Sequence, residues 1–440
     1  MKSGGRARGP RTLLLALDAV PYRVFEEARR RGAFSDWPSP SALVAPFPTV
    51  THVAFASLFQ PLGAAPSQHY ELRQFDVPTN RMAGGSPVHY GRDAPPWSEF
   101  LDSPHRSLTS ELSNYVSPGW AAHRELDEIE RELFASERDV VVAYVGGTDG
   151  IMHLFGDDAG IEFLMELNER LVTTIRRHLT LRRRPLRIAL FSDHGCGSCR
   201  VHHATGFDDL LRDEGFRVVE RLERPEDVVA PTFGLVNFGA LFLRDADRAG
   251  AAALAVAGHD AVEMAAFSSG PGVIDVVSPV GRSRITWRGP PGAERYAYRD
   301  QGGDSLRLME AYNRLVAGGL VDTDGYVSED DWLRESAFED FPDPLRRLAA
   351  ALTGDRVKSR ADVLFSLGPS WALGLRSAVV GSWVRHGSLK GTHGGLDRDS
   401  TLAFYAVSDP AFSLPPVAPS HEALAPFADG VATGTVRSHS

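Results

Sequence analysis

Three predominantly apolar runs, Leu13–Leu17, Val140–Val145 and Leu186–Phe191, constrain the fold of this chain more than any other feature. A strand with one face in water alternates apolar and polar residues, whereas a nearly solid apolar run belongs to a strand buried on both faces. Helical patterns follow the first two runs. Val24, Phe25 and Ala28 predict a short helix stopping near Gly32, and Ile161, Leu164, Leu171, Val172, Ile175 and Leu179 can share one helical face. Strand and helix alternating in this way predict an α/β fold, a mostly parallel central sheet with helices on both faces.

Ligands of such sheets lie beyond the carboxyl ends of the strands, and Asp18, Asp149 and Asp193 fall there, each at or within a few residues of the end of a run. Carboxylates far apart in sequence would therefore gather along one edge. Asp149 and His153 stand four residues apart in Gly147-Thr-Asp-Gly-Ile-Met-His153, a spacing that lets both converge on one cation. Phe191-Ser-Asp-His-Gly195 sets an adjacent Asp and His where the backbone turns at a glycine, and Gly391-Thr-His-Gly-Gly395 adds a histidine just before the apolar run Thr401–Val407. Each segment alone reads as an ordinary turn. Together they supply the carboxylates and imidazoles that two adjacent divalent ions require.

At 440 residues the chain exceeds an ordinary domain, and one large core with an embedded cap is expected. The core is assigned to 1–235 and 346–414, with Val363–Leu367 a candidate to rejoin the main sheet. A small inserted cap is assigned to the less regular 236–345, and a Pro-, Ala- and Ser-rich tail to 415–440. A net charge of −10 argues against nucleic acid as the principal partner. The two cysteines, Cys196 and Cys199, cannot form a disulfide framework, and no window is apolar for long enough to span a bilayer. The stretch Thr12–Asp18 looks superficially like a signal peptide, but its apolar run is short and ends on a carboxylate, so a buried first strand is the better reading. A soluble, cytoplasmic protein is expected.

The order of these residues, Asp18, a threonine loop, Asp149 and His153, the Asp193-His194 pair and finally His393, resembles the alkaline phosphatase superfamily. The resemblance is strongest to its nucleotide pyrophosphatase/phosphodiesterase-like branch, over residues 11–205 and 360–410. It implies that Asp149, His153 and His393 bind one metal ion and that Asp18, Asp193 and His194 bind a second, toward which Thr51 bridges. Zinc is the implied ion, with manganese as the alternative. In Pro46-Phe-Pro-Thr-Val-Thr-His-Val-Ala-Phe55 the family's Pro-Thr-x-Thr pattern makes the second threonine, Thr51, the nucleophile, with Thr49 as the fallback. The implied activity is hydrolysis of a small-molecule phosphoric ester through a phosphothreonine intermediate.

Two departures from the branch bear on how the phosphate is held. Where many relatives continue the nucleophile motif as Thr-Phe-Pro-Asn, this chain reads Thr51-His-Val-Ala54, and no asparagine closely follows His69-Tyr70. His52, Asn80 and Arg73 are the candidate substitutes, and the preference for diesters over monoesters is open. A phosphomutase or phosphotransferase would use the same ligands, and a non-catalytic metal- or phosphate-binding protein is the alternative from another class. A sulfatase would need a Cys-x-Pro-x-Arg type motif, which the Thr51 loop lacks.

Other features read as structure. Cys196-Gly-Ser-Cys199 with His202 and His203 could chelate a metal or act in redox chemistry, but is better read as a loop beside the site. Arg182-Arg-Arg184 reads as a solvated connection and Glu125–Glu132 as an exposed amphipathic helix. Trp287, Tyr296 and Tyr298 read as core of the inserted region, and His178 and His386 have no companion motif.

Overall fold

The computed structural model describes residues 9–71, 73–84, 95–102, 116–232, 235–374 and 388–432, the side chains of Arg73 and Ala432 excepted. His386 lies outside them. The three apolar runs stand side by side. Arg11–Leu17 is flanked in parallel by Val140–Val145 and Leu186–Ser192, and the sheet continues through Leu402–Val407 and Ser41–Val44 to an edge strand at Val417–Pro419. Five of its six strands run one way; Leu402–Val407 is antiparallel to both neighbours. Leu13, Leu15 and Leu17 pack toward the helices Tyr22–Arg30, Pro118–Ala135 and Asp157–Arg182, while Leu14 and Ala16 pack with Phe55, Leu58 and Phe59 on the other face. This is the mostly parallel, two-sided α/β sheet that solidly apolar strands demand.

The helix Asp157–Arg182 departs from the expected face. Its buried stripe runs through Leu164, Leu167, Leu171, Thr174 and His178, while Val172 and Leu179 point outward. Two polar residues occupy the stripe because each finds a partner there: Thr174 Oγ1 bonds Glu130 Oε1 at 2.5 Å, and His178 Nδ1 lies 3.0 Å from the Arg184 carbonyl. The arginines after it are tied to neighbours, Arg182 to Glu137 and Arg184 to Asp139.

A second, nine-stranded sheet runs from Arg217–Val218 at one edge to Val327–Ser328 at the other, antiparallel except for its first pair. It takes strands from both sides of the 236–345 stretch. Val363–Leu367, a candidate for the main sheet, is inserted here between Phe238–Leu243 and Val262–Gly270. Its residues are buried on both faces, so its apolar pattern does not reveal which sheet it joins. One face packs Phe238, Met264, Ile274 and Ile285 on Leu315, Trp332 and Leu348; the other packs Leu241, Ala265 and Phe365 on Ala252 and Val256. Tyr296 and Tyr298 are in that core, and Trp287 stacks on Tyr296 at 6.2 Å. The chain beyond 415 also contributes structure, since Val417–Pro419 pairs with Ser41–Val44 and Leu424 and Phe427 are buried. Among the described residues no helix is long and apolar enough to cross a membrane.

Candidate functional site

Parallel register brings the strand ends level. Leu17 pairs with both Val145 and Ser192, so Asp18, Gly146 and Asp193 all emerge at the same edge. The Asp18 N–H donates to the Val145 carbonyl at 3.1 Å, and the next residue, Ala19, adopts a positive φ of 58° and donates its N–H to Asp193 Oδ1 at 3.1 Å. The chain after Val145 turns directly into the helix Gly147–Phe155, whose first N–H is held by Glu125 Oε2 at 2.9 Å. One helical turn separates Asp149 from His153, so both face the same side.

Glycine is required at 195. A Cβ there would lie 2.1 Å from the Asp399 carbonyl oxygen, so only a bare backbone lets the turn carrying His194 press against the segment ahead of Leu402–Val407.

Six side chains form two groups, Asp149 with His153 and His393, and Asp18 with Asp193 and His194. In each group one ligand atom per residue lies within 4.8 Å of the others. Asp149 Oδ1 is 3.2 Å from His153 Nε2 and 3.4 Å from His393 Nε2; His194 Nε2 is 3.3 Å from Asp193 Oδ2 and 3.8 Å from Asp18 Oδ1. The groups adjoin, with the His194 and His393 rings stacked at 4.2 Å. Every imidazole is oriented by a backbone carbonyl at Nδ1: Gly391 for His153 at 2.8 Å, Gly195 for His194 at 2.9 Å and Thr49 for His393 at 3.0 Å. A proton held on Nδ1 leaves the Nε2 lone pair directed at the centre, the arrangement metal-binding histidines adopt.

The charges are frustrated as they stand. Burial alone would raise Asp149, but His153 and His393 outweigh it and hold the carboxyl well below its usual range. Burial opposes charge on His153, yet Asp149 lifts it. Burial pushes Asp193 up to about 7, and burial followed by the neighbouring His393 depresses His194 far below an ordinary imidazole. Asp193 Oδ2 is buried without a hydrogen-bond partner. Such a donor set, rich in oxygen and imidazole nitrogen and converging on two points, suits two divalent cations.

Thr51 opens the helix Thr51–Leu58, and its Oγ1 lies 3.4 Å from both Asp18 Oδ1 and His194 Nε2. Thr49 is differently placed. Its fully buried hydroxyl donates to the Gly395 carbonyl at 3.0 Å and accepts the Gly394 N–H at 2.9 Å, tying the threonine loop to the loop of His393. Of the candidate phosphate contacts, Asn80 is engaged elsewhere, bridging the backbone N–H and carbonyl of Leu222 at 2.8 and 3.1 Å. His52 follows Thr51 with its ring 6.4 Å from that of Trp97, and the Arg73 side chain falls outside the described residues.

Cys196 and Cys199 are both free, and burial raises both thiols. Cys196 Sγ rests 3.6 Å from the Thr392 carbonyl, Cys199 Sγ 3.0 Å from that of Pro369, and His203 bonds the Gly374 carbonyl. Among the described residues no third cluster of metal-binding side chains forms here.

Nothing in the sequence pattern marks Tyr144 as part of the site. It lies inside an apolar run, yet its hydroxyl donates to Asp18 Oδ2. Asn237, which touches the turn of His393, was equally hidden.

Residues 42–267, just over half of the chain, match the family model described as type I phosphodiesterase / nucleotide pyrophosphatase. No curated protein matches the chain in a sequence comparison. Among solved structures it is similar to murine ectonucleotide pyrophosphatase/phosphodiesterase 5, at 12% identity over 98% of this chain and 97% of that one with a TM-score of 0.49. It is also similar to the human protein of the same name, at 13% identity over 98% and 96% with a TM-score of 0.48.

Proposed function

Because the chain belongs to the type I phosphodiesterase/nucleotide pyrophosphatase family, and is thereby a hydrolase of phosphoric esters, we propose that it cleaves a small-molecule ester by transferring the phosphoryl group to Thr51 and then to water. The observation that carries this reading is the position of the Thr51 hydroxyl, 3.4 Å from a carboxylate and an imidazole of one group, with the second group stacked behind it. Asp149, His153 and His393 would hold one divalent ion and Asp18, Asp193 and His194 the other, zinc being the ion proposed for a set with three imidazoles and manganese the alternative. Bound there, the ions supply positive charge that makes the threonine hydroxyl acidic and stabilises the oxygens gaining negative charge.

The chain's own groups do the positioning. Tyr144 donates to one oxygen of Asp18, and Asp18's other oxygen faces Thr51. The N-terminus of Thr51–Leu58 sets the positive end of the helix dipole toward an incoming phosphate. The threonine oxygen attacks phosphorus as the ester oxygen departs. Water then attacks the phosphothreonine from the side the leaving group vacated, restoring the hydroxyl. Family membership does not favour the phosphomutase or phosphotransferase alternative, nor the non-catalytic one.

The test is turnover of a chromogenic phosphodiester and the matching monoester by zinc- or manganese-loaded protein, beside Thr51→Ala. Loss of at least about a thousandfold in kcat, with a phosphate adduct on the Thr51 peptide in acid-quenched wild-type protein, is expected. Wild-type rates in Thr51→Ala would overturn the assignment, and the diester-to-monoester ratio fixes the substrate class.

A further inference from the structure

The structure assigns Asn237 the role of a positioning residue for His393, an inference that rests on the two-ion reading above. The two groups of ligands are scaffolded differently. Asp18, Asp193 and His194 all follow strands of the central sheet. In the other group, Asp149 and His153 come from the helix after Val140–Val145, whereas His393 sits on a turn fastened to the second sheet.

Asn237 is that fastening. It is fully buried at the start of Phe238–Leu243, and all four of its polar groups are engaged. Its backbone N–H donates to the His393 carbonyl at 2.8 Å, and its carbonyl accepts the N–H of Leu367, in the neighbouring strand, at 2.8 Å. Its side-chain oxygen accepts the Gly395 N–H, and its side-chain nitrogen donates to Asp397 Oδ2 at 3.0 Å. The amide therefore grips both sides of the turn just after the histidine. A Cβ at Gly395 would lie 2.7 Å from that nitrogen, so the turn is closed down on Asn237 with no room for a side chain. Two more groups of the same side hold the turn: Ser366 Oγ accepts the Leu396 N–H at 2.9 Å, and Arg347 Nη1 donates to the Leu396 carbonyl at 3.2 Å.

His393 Nδ1 is fixed by Thr49, on the threonine loop. The ring can face Asp149 only if turn and loop keep their spacing, which Asn237 sets from the second sheet. Loss of its amide should loosen one ion and spare the other.

The test is zinc uptake by the full chain under competition from a chromogenic chelator, with His153→Ala marking the binding step that belongs to the His393 group. In Asn237→Ala that step is expected to weaken by about 10–100-fold, the usual cost of removing a partner of a ligand, while the other step is unchanged. Asn237→Asp keeps the acceptor for Gly395 but sets a second carboxylate against Asp397, and should weaken the same step. Combining it with Asp397→Asn returns a donor and an acceptor to that contact, and should restore the step. Ile274→Val, a core change three strands away in the same sheet, should leave both steps alone. Equal affinity for both ions in Asn237→Ala and wild type, or equal weakening of both steps, would overturn the role. Wild-type protein that takes up no ion would overturn the two-ion reading with it.

Discussion

Replacing Tyr144 by phenylalanine isolates one hydrogen bond in the site. The ring is almost fully buried, packed edge-on to Phe55 at 5.1 Å and to Trp97 at 5.7 Å, and Tyr144→Phe leaves those contacts in place. Only the hydroxyl that donates to Asp18 Oδ2 is lost. A hydrogen bond to a charged group contributes about 1.5–3 kcal/mol, and about 1.4 kcal/mol corresponds to a tenfold change. The expected outcome is a fall in kcat/KM for a phosphodiester of roughly 10–100-fold. Affinity for the ion of the Asp18 group should fall in parallel, and Tm should change by no more than a few degrees. Steady-state kinetics at several metal concentrations, with chelator competition, would measure all three. A kcat/KM within twofold of wild type at limiting metal would refute the argument that Tyr144 orients Asp18.

Asn80→Ala should cost about 1–3 kcal/mol of stability, because two backbone groups of Leu222 lose their partner, yet leave kcat/KM unchanged; a fall in kcat/KM at constant Tm would return Asn80 to the list of phosphate contacts. Gly195→Ala should destabilise by more than about 1–3 kcal/mol and weaken ion binding, since a Cβ would meet the Asp399 carbonyl at 2.1 Å; melting with and without zinc would detect both, and an unchanged Tm would refute the packing argument. Burial, helped by Arg346 and Arg356, pushes His421 down to about 4, below its unfolded value near 6.5. Between those values the unfolded chain binds the extra proton, so stability falls as pH drops from about 6.5 to about 4, by on the order of 3 kcal/mol. Urea melts of wild type and His421→Gln across that window should converge toward low pH, and parallel curves would rule the linkage out.

The carboxylates and histidines could be read from the sequence because each ends or closely follows an apolar run, or sits between glycines just ahead of one. A parallel sheet turns that one-dimensional regularity into a shared edge. The second sheet was obscure for the same physical reason that the first was clear. Val363–Leu367 is buried on both faces, by Leu348 and its neighbours on one side and Ala252 and Val256 on the other, so it reads as a central strand of either sheet. Val417–Pro419 was hidden by its proline, which an edge strand tolerates because it need not donate in both directions. Asn237 has no pattern around it, and in Leu235-Val-Asn-Phe-Gly it looks like a turn residue. Leu179 entered the expected helical face on hydrophobicity alone, whereas the stripe follows His178, whose Nδ1 finds the Arg184 carbonyl.

The reversed strand Leu402–Val407 decides where the chain can travel. In the strands that run with Arg11–Leu17, polar side chains reach the shared edge after the strand, but a strand laid against them presents its beginning there, so the turn ahead of it arrives at that edge. His393 is therefore a ligand that precedes its strand. The chain can leave the edge after His194, build the whole second sheet, and come back to the place it left without crossing the central sheet. Had the same six residues run parallel to their neighbours, the turn would have emerged at the opposite edge, about 20 Å away at roughly 3.3 Å per residue.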